Sequence, residues 1–146
     1  MQALRKTTRR IRRASERFSL HARLQLTTLD GKPVAPLSRC RDISLSGIRV
    51  SAAEGLAPGT MLLLSLELPT GRTFRGTGRV AWLLTTLRPA LLGTPTGRDD
   101  DAIFGIAFDG TSTDELLPIA RLLAAREHER RRARRIGRLH HLRIHA

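Results

Sequence analysis

The stretch RDISLSGIRVS, residues 41–51, is the most informative segment of the chain for the fold. Ile43 and Leu45 alternate with polar residues, as in a strand with one buried face, but the next two apolar residues stand on the opposite parity. The alternation therefore changes phase at Gly47. Because a one-residue slip would turn a buried face to solvent, this glycine predicts a β-bulge or a sharp bend.

Alternation of apolar and polar residues continues on both sides of this stretch and is typical of antiparallel strands with one packed face. The two clearest runs consist of Phe18, Leu20, Ala22, Leu24 and Leu26, and of Leu62, Leu64, Leu66 and Leu68. A third run places Phe74, Val80, Trp82 and Leu84 on one face, with glycines between them that suit a curved sheet. Five or six such strands, separated by turn sequences, predict a mainly β fold built as a small antiparallel barrel.

A helical pattern replaces the alternation after Gly110. The apolar residues Leu116, Ile119, Ala120 and Leu123 follow the spacing of one helix face, and Ser112 or Thr113 is a suitable N-cap. Pro118 leaves two interpretations open: the helix begins near this proline after a separate turn, or its first turn is distorted. The arginine-rich sequence that follows also favours helix.

The net charge of +13 is concentrated at the two ends of the 146-residue chain. Residues 1–23 carry +7 and residues 126–146 carry +6, whereas the middle is neutral. We therefore divide one domain into a basic arm (1–17), a barrel (18–110), and a helix with an arginine-rich tail (111–146). Within the barrel, residues 88–101 are expected to form an exposed loop. Basic ends on a neutral centre predict contact with anions, whether nucleotide, nucleic acid or lipid, although a purely solubilising role is the plainer alternative.

Several classes of protein are disfavoured by the sequence. The single cysteine, Cys40, has no partner for an internal disulfide, and no Cys/His grouping has zinc-ligand spacing. Neither a signal peptide nor a membrane span is apparent, so we expect a soluble, cytoplasmic protein. No group of residues is spaced for catalysis, so we expect neither an enzyme nor a bound cofactor.

Two short motifs carry chemistry: Arg13-x-x-x-Arg17, directly before the first strand, and Asp42-x-Ser44-x-x-Gly47. The arginine motif alone has little specificity, because a chain with this many arginines contains about 4 such pairs by chance. The second motif has a chance expectation of about 0.03 for this composition. The second motif therefore carries most of the inference.

Together the two motifs resemble the signature of the PilZ domain, a bacterial receptor for cyclic di-GMP, in which RxxxR precedes [DN]xSxxG. The segments GRVAW and FGIAF are similar to later strands of that family, and Arg12 matches an arginine often found ahead of its motif. The resemblance implies a six-stranded barrel with a C-terminal helix. It also implies a second-messenger receptor whose ligand contacts are Arg12, Arg13, Arg17, Asp42, Ser44 and Gly47. The basic arm, the tail and the long loop 88–101 depart from the family pattern.

These residue types suit the ligand that the resemblance implies. Arginine pairs with phosphate or with the guanine O6/N7 edge and stacks on bases, and aspartate accepts hydrogen bonds from the guanine N1 and N2 donors. Serine can bond a base or a phosphate, although Asp42 and Ser44 can equally satisfy their own backbone in a turn. Arg49 and Trp82 are further candidates, with a solvated strand charge and a half-buried core indole as the plain alternatives.

Other functions remain open at this level. A basic barrel that binds RNA or DNA is the main alternative, but such modules display exposed aromatic residues, and all four phenylalanines here have inward parity. An adaptor that has lost nucleotide binding is a further alternative. We expect an output partner, or self-association, through the C-terminal helix.

Overall fold

The computed structural model describes residues 16–85 and 102–144, with helix side chains described as far as His140. Seven strands and one helix follow in order: β1 (Phe18–Thr27), β2 (Pro33–Val34), β3 (Arg39–Ile43), β4 (Gly47–Ala52), β5 (Met61–Glu67), β6 (Thr73–Thr85), β7 (Ala102–Phe108) and α1 (Thr113–Ile144). Two predicted segments lie outside the described residues. These are the part of the basic arm before Glu16, which includes Arg12 and Arg13, and the loop 88–101.

Six of the strands close into an antiparallel barrel. Their order around the ring is β1-β3-β4-β7-β6-β5, and β5 pairs again with β1 to complete it. The two-residue strand β2 is an addition that pairs with the end of β1, and its length is too short for a pattern to predict. The mainly β class, the six-stranded barrel and the C-terminal helix predicted from the sequence are confirmed.

The barrel interior is filled by the alternating residues of each strand. Exposed fractions of 0–2% are found for Leu62, Leu64, Leu66 and Leu68, and the rings of Phe74 and Phe104 are equally buried. Phe18 and Phe108 are partly buried against this core, so all four phenylalanines face inward as predicted. Helix α1 adds Ile119, Leu122 and Leu123 to the same cluster. The helix and the barrel therefore share one hydrophobic core.

The phase change at Gly47 is a reversal of the chain between two strands, so the predicted bulge or bend within one strand is wrong. The Ser44 N–H donates to the Gly47 carbonyl at 2.9 Å, which closes a tight turn between β3 and β4. Ile43 and Ile48 become cross-strand partners and are both buried. Leu45, predicted to share the buried face of Ile43, lies in the turn and is 42% exposed.

Gly47 is needed for its lack of a side chain, because strand β7 passes directly against it. A Cβ atom at this position would overlap the backbone carbonyl oxygen of Ile106. The overlap involves backbone atoms paired in the sheet, which cannot move aside without disturbing the ladder. The turn and the closure of the barrel therefore depend on the same glycine.

Replacing Gly47 by alanine is expected to lower the free energy of unfolding by about 1–2 kcal/mol through this overlap. Urea denaturation followed by circular dichroism measures the change. Gly137→Ala is the matched control, since a Cβ there meets nothing within 4 Å. Equal unfolding midpoints for the Gly47 variant and the unmodified protein would refute the contact.

Strand β6 changes its facing midway, which corrects a second prediction. Its register against β7 shifts between Val80 and Trp82, so that residues after the shift project to the opposite side. Trp82 and Leu84 are therefore 38% and 58% exposed, while Leu83 packs against the core. The prediction that Trp82 and Leu84 share the inner face of Val80 is wrong.

Helix α1 begins at Thr113, which decides between the two predicted starts. Ser112 is the N-cap: the Glu115 N–H donates to the Ser112 hydroxyl at 3.2 Å, and the Ser112 N–H donates to the Glu115 carboxylate at 2.9 Å. This reciprocal capping box fixes the first turn ahead of Pro118, which is accommodated inside the helix. Among the described residues, no helix is sufficiently long and apolar to span a membrane.

Candidate functional site

One row of residues from five neighbouring strands crosses the outer surface of the barrel. Cross-strand pairing links Ser19 to Asp42, Asp42 to Arg49, Arg49 to Gly105, and Gly105 to Trp82. Directly paired residues project from the same side of a sheet. We call this set the outer row. From Asp42 to Trp82 it covers three strand spacings, or about 14 Å.

Asp42 is the electrostatic centre of the outer row. Its carboxylate lies 2.8 Å from Arg49 Nε and 3.5 Å from Arg17 Nη1. The Asp42 side chain is 13% exposed, whereas the Arg17 and Arg49 side chains are 39% and 46% exposed. The carboxylate is thus largely enclosed, while the two guanidinium groups present their remaining N–H donors to solvent and leave the cluster with a net positive charge.

Arg17 reaches this cluster because of how β1 begins. The arginine directly precedes Phe18, which pairs with Ile43 at the end of β3, next to Asp42 in sequence. Arg17 and Asp42 are 25 residues apart in the sequence, and a hydrogen bond joins them. Antiparallel pairing of β1 with β3 thereby brings the two predicted motifs together. Arg13 belongs to the same motif but lies outside the described residues, as does Arg12.

The other two motif residues shape the turn between β3 and β4. Ser44 is 2% exposed, and its hydroxyl lies 2.9 Å from the Ser46 hydroxyl and accepts the Ser46 N–H at 3.2 Å. Gly47 lies against β7, as described above. The self-bonded turn that the sequence left as an alternative for Ser44 is therefore formed here, and it fixes the position of the preceding Asp42.

Trp82 lies over Gly105, next to Arg49 in the outer row. A Cβ atom at Gly105 would overlap the indole ring, so the ring occupies the space that a side chain would fill. Gly105 was not among the residues predicted from the sequence to form the site. The available signal was a glycine inside the otherwise apolar strand sequence IFGIAF, which is typical of close approach by another group. The indole thus forms a partly exposed flat surface beside an arginine.

The C-terminal helix passes beside the residue that precedes Arg17. Arg130 Nη2 lies 3.9 Å from Glu16 Oε2, and the same guanidinium is 3.1 Å from Glu127 within the helix. Both Arg130 and Glu16 are largely exposed, so this long ion pair contributes little stability. The contact nevertheless brings helix α1 next to the end of the segment that carries Arg12, Arg13 and Arg17, residues 12–17, which we call the arginine linker.

Cys40 lies on the inner side of β3, close to the site in sequence but not open to it. Burial, with a smaller contribution from the negative charge of Asp42, raises the pKa of the Cys40 thiol to about 12 from an ordinary value of 9.0. The thiol therefore stays protonated at neutral pH and does not act as a nucleophile. Among residues 16–85 and 102–140, no group of His, Cys, Asp or Glu is arranged to hold a metal ion.

The raised pKa of Cys40 predicts a dependence of stability on pH. The unfolded thiol ionises near its ordinary value while the folded thiol keeps its proton, so the free energy of unfolding should fall as the pH rises from about 9 towards 12. Denaturation of the unmodified protein and of Cys40→Ala across this range isolates the effect. Identical pH slopes in the two proteins would show that the thiol does not contribute.

Comparison with known proteins places the chain in a family. The PilZ domain model matches residues 11–125, which include both motifs and every described strand. The chain therefore belongs to the PilZ domain family. No curated protein matches.

The solved structures that share this fold include proteins from three bacteria. The chain is similar to YcgR of Escherichia coli in complex with c-di-GMP (TM-score 0.63, 16% identity, 86% of this chain and 50% of that one). It is also similar to the Bacillus subtilis inhibitor of motility, MotI/DgrA (0.59, 17%, 81% and 52%). A third similar structure is the K. pneumoniae MrkH–c-di-GMP complex (0.57, 16%, 84% and 55%). The chain thus spans about half the length of each of these proteins.

Proposed function

We propose that this protein is a receptor for cyclic di-GMP, without catalytic activity, that acts by changing its contacts with other molecules in the bacterial cytoplasm. The observation that carries the proposal is the enclosure of Asp42 between Arg17 and Arg49, in one row with an exposed tryptophan. Two structures with the same fold, YcgR and MrkH, are complexes with this nucleotide, which supports the choice of ligand.

The two arginines of the first motif are assigned to the phosphates and to one guanine. Cyclic di-GMP carries two phosphates and two guanines. A guanidinium can pair bidentately with a phosphate or with the O6/N7 edge of a guanine. Arg17 holds its side chain at the edge of the outer row, and Arg13 and Arg12 precede it in the same linker. The ion pair between Arg17 and Asp42 is partly exposed and costs little to rearrange when a phosphate arrives.

Asp42 and Trp82 are assigned to the bases. The Asp42 carboxylate can accept from the N1 and N2 donors of guanine, which adenine does not offer in the same arrangement. Arg49 holds that carboxylate in place at 2.8 Å and supplies further donors. Trp82, over Gly105, offers a flat ring on which a base can stack. Ser44 and Gly47 position this wall through the turn.

The exposed tryptophan makes the proposal testable by fluorescence, because Trp82 is the single tryptophan and the chain has no tyrosine. Cyclic di-GMP is expected to change Trp82 emission saturably. Trp82→Ala is expected to lower affinity by about 1 kcal/mol, at least five-fold, through loss of base stacking. Leu84→Ala, an exposed neighbour on the same strand, is the matched control and should bind normally. Unchanged emission at saturating nucleotide would remove Trp82 from the site.

The barrel itself does not suit the alternative role as an RNA- or DNA-binding module. Single-strand binders stack successive bases on several exposed aromatic rings. Here the four phenylalanines face the core, and Trp82 is the remaining aromatic residue. The output of the receptor is therefore proposed to lie outside the barrel surface, in a contact that the C-terminal helix makes with another molecule.

A further inference from the structure

The C-terminal helix extends beyond the hydrophobic core that it helps to form. Its last strongly buried residues are Leu122 and Leu123, and every residue from 128 to 140 is exposed. At 1.5 Å per residue, this exposed part is about 20 Å long. We call residues 128–140 the projecting helix. Apart from the ion pair between Arg130 and Glu16, the described part of the barrel therefore leaves this length of helix uncovered.

The projecting helix is cationic on several sides. Arg131, Arg134, Arg135 and Arg138 follow the i, i+3, i+4, i+7 spacing and line one shallow groove along the helix. Arg130 and Arg132 lie about 100° to either side of Arg131, so positive charge extends beyond that face. The acidic residues Glu127 and Glu129 neutralise little of it, and residues 126–146 carry +6.

An anionic membrane and a second copy of the chain fit this helix poorly. A helix that lies in a membrane interface needs a continuous apolar face, but the exposed apolar residues Ile136 and Leu139 are flanked by arginines and form no such face. A second projecting helix would carry the same charge, and like charges repel. The partner must therefore be strongly anionic and need little apolar contact.

We propose that the projecting helix binds double-stranded DNA by lying in the major groove. An α-helix with its side chains is about 10–12 Å across, and the major groove is about 12 Å wide. Phosphates line both walls of the groove, so arginines on opposite sides of one helix each meet a backbone. A flat acidic protein surface would engage one side alone. This function goes beyond nucleotide binding and does not depend on it.

Repulsion within the helix supports the same occupant. Arg131 with Arg135, and Arg134 with Arg138, are like-charged pairs one turn apart, which weaken a free helix by about 0.2–0.5 kcal/mol each. The Glu127 carboxylate, 3.2 Å from Arg131, relieves one end only. A polyanion wrapped around the rod would remove this repulsion. We therefore expect DNA to raise the helical signal in circular dichroism as it binds.

The test measures binding of the full chain to a 20-base-pair DNA duplex by fluorescence anisotropy over a series of salt concentrations. The test variant changes Arg131, Arg134, Arg135 and Arg138 to glutamine. The matched control changes Arg39, Arg72, Arg79 and Arg121, all exposed on the barrel or the start of the helix, and so loses the same charge. Circular dichroism of each variant verifies that the helix and barrel remain folded.

We expect the helix variant to lose at least ten-fold in affinity and about 3.6 units of the salt slope, since each of the four phosphate contacts contributes about 0.9. The barrel variant should retain the slope of the unmodified chain within one contact. Equal losses in the two variants would show a general charge effect and overturn the proposal. Tighter binding to duplex RNA, polyglutamate or anionic vesicles than to DNA would overturn it as well, as would no binding at low salt.

Discussion

Replacing Arg17 by alanine is expected to weaken cyclic di-GMP binding by at least thirty-fold while the barrel stays folded. The side chain is 39% exposed and does not belong to the hydrophobic core, so its loss should leave the fold intact. In the complex it would be a charge-assisted, bidentate contact, whose truncation costs about 2–4 kcal/mol. Isothermal titration calorimetry measures the affinity, and urea denaturation measures the stability.

Arg13→Ala is expected to have the same effect, because the motif supplies both arginines to one dianionic ligand. Arg72→Ala, an exposed arginine elsewhere on the barrel, controls for the loss of one positive charge. If Arg17→Ala and Arg13→Ala both kept the affinity of the unmodified protein, the linker arginines would not belong to the site. Weakening by Arg72→Ala to the same degree would reduce the contact to unspecific attraction.

Asp42→Ala is expected to remove the preference for guanine more than the binding of phosphates. Asp42 carries the carboxylate of the outer row, which can accept from both the N1 and N2 donors of guanine, and its loss also frees Arg17 and Arg49 from their ion pairs. The freed guanidinium groups would still attract a cyclic dinucleotide. The ratio of the affinities for cyclic di-GMP and cyclic di-AMP should therefore fall roughly thirty-fold. This corresponds to about 2 kcal/mol in the difference between their binding free energies.

Asp42→Asn is the conservative comparison, since the amide keeps one oxygen acceptor at the same place. It should retain part of the discrimination, in line with the [DN] alternative of the motif. Parallel titrations of the three proteins with the two dinucleotides give the ratios. Loss of both nucleotides to the same degree in Asp42→Ala would show that Asp42 does not read the base.

The parts of the site that the sequence could predict are those encoded by local chemistry. Asp42 and Arg17 were identified because their motifs are rare in combination and stand beside alternating strands. The pairing of β1 with β3 then brings them within 3.5 Å of each other. Arg49 was a further candidate from the sequence, with a solvated strand charge as the alternative, and in the structure its Nε lies 2.8 Å from the Asp42 carboxylate.

The errors arose where one backbone shift reverses every later side chain. The register shift before Trp82 leaves no mark in composition, because Ala81 suits either face of a strand. The phase change at Gly47 was visible, but a bulge and a two-strand turn give the same alternation. The choice between a bulge and a turn depended on Ile106 in β7, which is far away in the sequence. Its backbone carbonyl oxygen packs directly against Gly47. Parity alone therefore cannot decide facing across a glycine or a bulge.

The central claim is that the outer row and its arginine linker bind cyclic di-GMP, and calorimetric titration of the full chain tests it most directly. Two controls are titrated at the same physiological salt concentration. GTP tests for binding of guanine alone, and a short single-stranded RNA tests for attraction by charge. The account predicts saturable binding of cyclic di-GMP, with GTP and RNA at least ten-fold weaker. Absence of binding heat at several temperatures, or RNA binding as tight as that of cyclic di-GMP, would contradict it.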